Sequence, residues 1–145
     1  MMRQNNTILV VTVSFLLLLS TPALCIPRYG LTRVVVINDL GGGQELRLHC
    51  GSKDYDLGIR MLKPHQGFRW RFRPSFFGNT LFYCSVEWGA AAAGEVHWFD
   101  VYDQVRDEDR CTICRWLIKE TGPCFSDEEG ESGDSTCQSW NEIGR

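Results

Sequence analysis

The sequence is poor in the residues on which most hydrolytic and metal-dependent chemistry rests. Its only imidazoles are His49, His65 and His97. It has no Gly-x-Ser-x-Gly nucleophile elbow, no His-Glu-x-x-His pair and no phosphate-binding glycine loop. Beyond the N-terminus no apolar run approaches the roughly 18 residues of a membrane helix. Gly and Pro together are 19 of 145 residues, which excludes a collagen-like or low-complexity chain. The only Asn-x-Ser/Thr sequon, Asn5-Asn6-Thr7, lies at the extreme N-terminus. What remains is a chain with 43% apolar residues, too many for disorder, and seven cysteines.

The N-terminus has the parts of a secretory signal: Arg3, an apolar run from Ile8 to Leu19, then Ser20-Thr21-Pro22-Ala23-Leu24-Cys25. Small side chains at Ala23 and Cys25 suit cleavage before Ile26, with cleavage after Ala23 as the alternative. A retained signal anchor is disfavoured because the run is short for a span. The sequence thus divides into a signal peptide, 1–25, and one domain, 26–145. Stable membrane insertion after cleavage is not expected.

Cleavage turns seven cysteines into six: Cys50, Cys84, Cys111, Cys114, Cys124 and Cys137. An even count in a small exported domain reads as a disulfide framework. Zinc at Cys111-x-x-Cys114 with Cys124 and Cys137 is disfavoured by the oxidising compartment. A thioredoxin-type role for Cys111 and Cys114 lacks its βαβ context. No cofactor is implied. The domain carries 14 basic against 18 acidic residues, net −4. Ile26–Asp100 is net +2 and Val101–Arg145 net −6, a poor profile for nucleic-acid binding.

Strand signals recur along the domain. Arg33–Asn38 is rich in β-branched residues and stops at Asn38-Asp39. Glu45–Cys50 alternates, placing Leu46, Leu48 and Cys50 on one face and His49 near the surface. Leu57–Leu62 is weaker. In Gly67–Arg73, Phe68, Trp70 and Phe72 oppose Arg69, Arg71 and Arg73, so the strand is half buried. In Thr80–Trp88, the set Phe82, Cys84, Val86 and Trp88 is the core face. Glu95–Tyr102 and Ile113–Lys119 follow, the latter closed by Gly122-Pro123. Ala90–Gly94 reads as a small-residue loop, Asp107–Asp109 as a charged turn, and Phe125–Gly133 as a loose acidic stretch tethered by Cys137. The fold class expected is all-β: a small antiparallel β-sandwich of about seven or eight strands, stapled by disulfides.

Each candidate for chemistry has a plainer structural reading. Asp54 and Asp56 could pair as hydrolase carboxylates, but a solvated loop beside Lys53 is simpler. Arg69, Arg71 and Arg73 could grip an anionic partner, or form an ordinary solvated sheet face. Trp70 and Trp98 could be sugar platforms, with core packing preferred. All six cysteines are expected to be paired. Cys50 and Cys84, core-facing on separate strands, are each expected to tie a strand to the C-terminal region. Cys111 and Cys114 then bond outward to different partners.

Several phrases occur in order: Val36-Ile37-Asn38-Asp39-Leu40, His49–Gly58, Phe68-x-Trp70-x-Phe72, Phe77–Cys84, Trp98–Tyr102, Cys111-x-x-Cys114-x-Trp116, Gly122-Pro123-Cys124 and Cys137-x-x-Trp140-Asn141. Together they resemble the plant self-incompatibility protein family, the S-protein homologues. Gly51 departs from that pattern, where many members carry Lys, and Ala90–Ala93 is an insert. The resemblance implies a secreted, disulfide-bonded β-sandwich and no catalytic residues, so no enzyme. It implies an extracellular signalling ligand for a cell-surface receptor, acting as a monomer, in rejection of self pollen for the founding members. It transfers no receptor-binding residues. The polar segment Ser52, Lys53, Asp54, Tyr55 and Asp56 has two readings. Asp54 or Asp56 caps backbone donors, or the loop meets the partner. The rival functions are a secreted defence or carbohydrate-binding module and, more remotely, a small secreted hydrolase.

Overall fold

A computed structural model describes residues 30–89, 95–126 and 135–140. Nine strands follow in chain order: β1 Thr32–Asn38, β2 Leu46–Ser52, β3 Asp56–Leu62, β4 Gly67–Phe72, β5 Leu81–Trp88, β6 His97–Asp103, β7 Ile113–Lys119, β8 Gly122–Ser126 and β9 Thr136–Cys137. One short helix, α1 Gln104–Asp107, joins β6 to the turn before β7. The strands form two sheets, ordered β4-β1-β7-β8-β9 and β3-β2-β5-β6. The all-β sandwich is as expected, with one difference: β1 and β7 run parallel, at the centre of the larger sheet.

The core lies between the sheets, built from alternate residues of each strand. Val34 and Val36 from β1 and Trp116 and Ile118 from β7 face Leu46, Leu48, Phe82, Val86, Phe99 and Val101. Phe68, Trp70 and Phe72 cover this core from the edge strand β4 and are half buried there. Asn38 ends β1 inside the core, where three hydrogen bonds satisfy its amide. Its Nδ2 donates to the carbonyls of Gln44 and Leu62, and its Oδ1 accepts from the Leu40 N–H. The residue read as a turn signal is thus also a clamp between strands.

Gly122-Pro123 does not close the chain's last strand; it opens β8. Cys124 and Phe125 are buried, and the Phe125 ring meets Trp116 edge-on at 5.3 Å. The proline fits because its ring occupies the position of an N–H, while its carbonyl accepts from Gln138 at 3.0 Å. At Gly122 a Cβ would stand 1.6 Å from the Gln138 carbonyl oxygen, so only glycine lets the C-terminal segment pass.

Three disulfides join the six cysteines among the described residues, with a pairing that corrects the expectation. Cys50 bonds Cys84, directly opposite on β2 and β5. Cys124 bonds Cys137, directly opposite on β8 and β9. Cys111 bonds Cys114, its own near neighbour. Cys50 and Cys84 face inward together because register sets them side by side, so neither reaches the C-terminal region. Each bond is local to one sheet or turn, so the two sheets are held together by buried side chains and by hydrogen bonds that cross between them, from Asn38 Nδ2 to the Leu62 carbonyl and from Trp116 Nε1 to the Val101 carbonyl. The leader 1–25, the Ala90–Gly94 loop and the acidic residues 127–134 lie outside the described residues.

Candidate recognition surface

The segment Ser52–Asp56 forms the tip of the β2–β3 hairpin. The Ser52 N–H donates to the Tyr55 carbonyl at 2.7 Å. The Ser52 hydroxyl accepts from the amides of Asp54 and Tyr55 at 3.4 and 3.1 Å. A Cβ on Gly51 would approach the Tyr55 carbonyl oxygen to 2.9 Å, so this tip is tighter than a lysine at that position would allow. Lys53 and Asp54 are exposed, and Tyr55 is 68% exposed.

Asp56 anchors the other side of the tip. Its Oδ1 accepts from the Gly58 amide at 2.8 Å and meets His49 Nε2 at 2.7 Å. The Gly58 hydrogen bond, then that of His49, hold the Asp56 carboxyl below its ordinary value. A hydrolase acid would need the opposite shift. Asp56 therefore caps the hairpin, as one of the two sequence readings holds. The His49–Asp56 pair is the acid–imidazole contact the hydrolase reading calls for. Its carboxylate is already committed to Gly58 and to the imidazole Nε2. His65, the other histidine near an acid, stands 3.9 Å from Asp39 and is exposed.

Two clefts flank Tyr55. One, about 400 Å³, runs between the tip and the β4–β5 loop, touching Lys53, Asp54, Arg73, Asn79 and Tyr83. The other, about 210 Å³, lies between His49, Gly51, Asp56, Tyr83 and Trp98. Trp98 corrects the core-packing expectation. It is 47% exposed and packs only its edge of the sheet, 6.1 Å from the Tyr83 ring, because β6 turns its neighbours Phe99 and Val101 inward. Trp70 keeps a core role against Phe68 and Phe82. Trp88 stacks on His97, which stacks in turn on Trp140.

The β4–β5 loop belongs to the same end. Its Phe77 is 95% exposed, with Phe76 edge-on against it at 4.7 Å. Buried Gln104 fixes this loop: its side-chain oxygen accepts from the Thr80 amide and its side-chain nitrogen donates to the Ser75 carbonyl. The signal for this in the sequence is the Phe-Phe pair itself, two large apolar residues in a turn with no strand to bury them.

The Cys111-x-x-Cys114 pair is oxidised, and both residues are buried, which keeps the sulfurs from thiol exchange. Among the described residues no three His, Cys, Asp or Glu side chains gather as a metal site. Also among them, no helix is long and apolar enough to cross a membrane.

Comparison with known proteins matches this chain to others of the same build. The family described as plant self-incompatibility protein S1 matches residues 33–140. S-protein homolog 4 of Arabidopsis thaliana is 41% identical over 114 residues, 74% of this chain and 71% of that protein. S-protein homolog 5 of the same plant is 38% identical over 99 residues, 68% of this chain and 74% of that protein. A solved self-incompatibility protein homologue, described as one of a widespread family of small, highly stable, secreted plant proteins, superposes with a TM-score of 0.52. That structure covers 68% of this chain and 86% of its own at 16% identity, a likeness of fold. On the extent of the family match and the identity to its Arabidopsis relatives, this chain belongs to the plant self-incompatibility S-protein homologue family, whose members are small, secreted, disulfide-bonded β proteins.

Proposed function

We propose that this secreted protein is a monomeric extracellular signalling ligand, recognised by a cell-surface receptor protein through the end of the sandwich that carries Ser52–Asp56. Recognition rather than catalysis is its mode of action. The observation that carries this is the hairpin tip. It projects Lys53, Asp54 and Tyr55 into solvent while Ser52 and Asp56 tie its backbone down from both sides. A tip already ordered before contact loses little entropy on binding. Exposed Tyr55, Phe77 and Trp98 supply the aromatic anchors typical of protein interfaces. Rejection of self pollen is the setting in which the family's name places such a signal.

The test is binding of the labelled, disulfide-intact protein to stigma and pollen-tube surfaces. A Lys53→Ala/Asp54→Ala/Tyr55→Ala variant leaves the hairpin's own anchors in place and is expected to lose surface binding. Undiminished binding by this variant, with an unchanged thermal melt, would sink the assignment of this end.

Trp98 supports a second reading. An exposed indole beside Tyr83, Tyr55 and the polar His49–Asp56 pair is also the make-up of a sugar subsite. Glycan-array binding that is lost on Trp98→Ala and kept in the hairpin variant would favour that reading.

A further inference from the structure

The outer face of the larger sheet carries a cluster of arginines. In register, Arg33 on β1 lies directly opposite Arg71 on β4. One row along, Val35 of β1 is flanked by Arg69 on β4 and Arg115 on β7. With strands about 4.8 Å apart and like-facing residues about 6.8 Å apart, the four Cα atoms fall within two adjacent rows. All four side chains are exposed, as is Arg73 just beyond β4.

No carboxylate among the described residues pairs with any of the four. The ion pairs present elsewhere take Arg47, Arg106, Arg110 and Lys119. Like charges set directly opposite on neighbouring strands destabilise a sheet. Among the described residues nothing compensates this broken local rule, which points to compensation by a partner. The cluster is also at odds with the acidic balance of the whole domain, so it is a local feature and not a reflection of composition.

The shape of the face narrows the partner. Arg33, Arg69 and Arg71 edge a shallow, open trough of about 390 Å³, and no enclosed cavity receives a single small anion there. An open row of planar guanidinium forks suits a repeating series of carboxylates, each taken bidentately. Nothing on this face resembles a membrane-inserting wedge, since its apolar residues Val35, Ile37 and Leu117 are half covered within the sheet. We infer that the Arg33–Arg69–Arg71–Arg115 face binds a linear polyuronate, an acidic polysaccharide with a carboxylate on each sugar, of the kind a secreted plant protein meets in the cell wall. Such binding would hold the ligand in the wall matrix and leave the hairpin end, on the other sheet, free. The inference does not depend on the receptor reading, since none of these four arginines lines the clefts at the hairpin end.

The experiment uses the full mature protein with its disulfides intact. De-esterified polygalacturonate is the probe, and the fully methyl-esterified polymer and phosphatidylserine vesicles are the comparators. Saturable binding to the de-esterified polymer is expected, weakening as salt is raised. An Arg69→Gln/Arg71→Gln variant should lose about tenfold or more in affinity, the worth of charge-assisted hydrogen bonds lost. Arg47→Gln on the other sheet should retain affinity. Because the double variant removes a like-charge opposition, its thermal melt should be unchanged or raised. Arg115→Gln, on a different strand, gives an independent check, with a smaller loss expected. Equal binding to the esterified polymer, tighter binding to the vesicles, no saturable binding, or full affinity in both arginine variants would each overturn the inference.

Discussion

Asp56 and Asp107 both sit in short polar turns, and both accept hydrogen bonds from backbone amides, yet they occupy opposite environments. Asp56, at the β2–β3 tip, is exposed and shares its oxygen between Gly58 and His49. Asp107, at the end of α1, is 0% exposed. Arg106 clasps both its oxygens at 2.8 and 2.7 Å, Arg110 approaches at 3.7 Å, and the Asp103 amide donates at 2.9 Å. The Asp107 backbone carbonyl takes the amides of Arg110 and Cys111 as well. Burial works against the Arg106 charge, but the hydrogen bonds and the charge of Asp107 outweigh it and raise the guanidinium's pKa. The arginines in turn cover aromatic faces, Arg106 over Trp116 and Arg110 over Phe125. The Asp107–Asp109 segment, read from the sequence as a charged turn, is therefore a core feature at its first residue. One turn is free to present a surface; the other locks the β6–β7 connection onto the core.

Breaking the two turns should separate them sharply. Asp107→Ala leaves the half-buried Arg106 without its counter-charge and the Asp103 amide without its acceptor, and should cost about 2–3 kcal/mol in a denaturant titration. A cost no larger than that of an ordinary surface substitution would remove the distinction. Asp56→Ala should leave the denaturation midpoint close to the parent's while speeding amide hydrogen exchange at Gly58 and along the tip, because only local order depends on it. A global loss of stability from Asp56→Ala would place this turn in the core's cooperative unit after all.

The smallest effect is that of pH. The folded Asp56 carboxyl titrates below its unfolded value, so its contribution is present above the ordinary carboxylate range. It is lost as pH falls through the lowered pKa. The Gly58 amide resonance should follow this titration with an inflection below 3.8, while the core resonances stay unchanged. An inflection at or above 3.8 would mean that the Gly58 and His49 contacts do not hold the carboxylate.

The elements read best from sequence were those with period-two alternation. Leu46, Leu48 and Cys50, and Phe82, Cys84 and Val86, all face inward as that spacing requires. β8 was not legible, because Gly122-Pro123 looks like a stop unless the passage of Gln138 is known. Trp98 was misplaced by its bulk, when the parity set by Phe99 and Val101 decides its side of the sheet. The tip residues Ser52–Asp56 were legible as a polar loop, but the β4–β5 loop and Trp98 join that end only through the folding of distant strands.

By itself, the sequence determined the class of protein: a secreted, all-β chain whose folded domain carries an even set of cysteines. Side-chain alternation and residue count suffice for that, since both are local properties. Only the tertiary structure decided which cysteines meet, which aspartate is interior, and that Arg33, Arg69, Arg71 and Arg115 share one face. The Cys50–Cys84 pairing and the arginine face depend on register between strands far apart in the chain, and a shift of one residue in either pairing would reverse them.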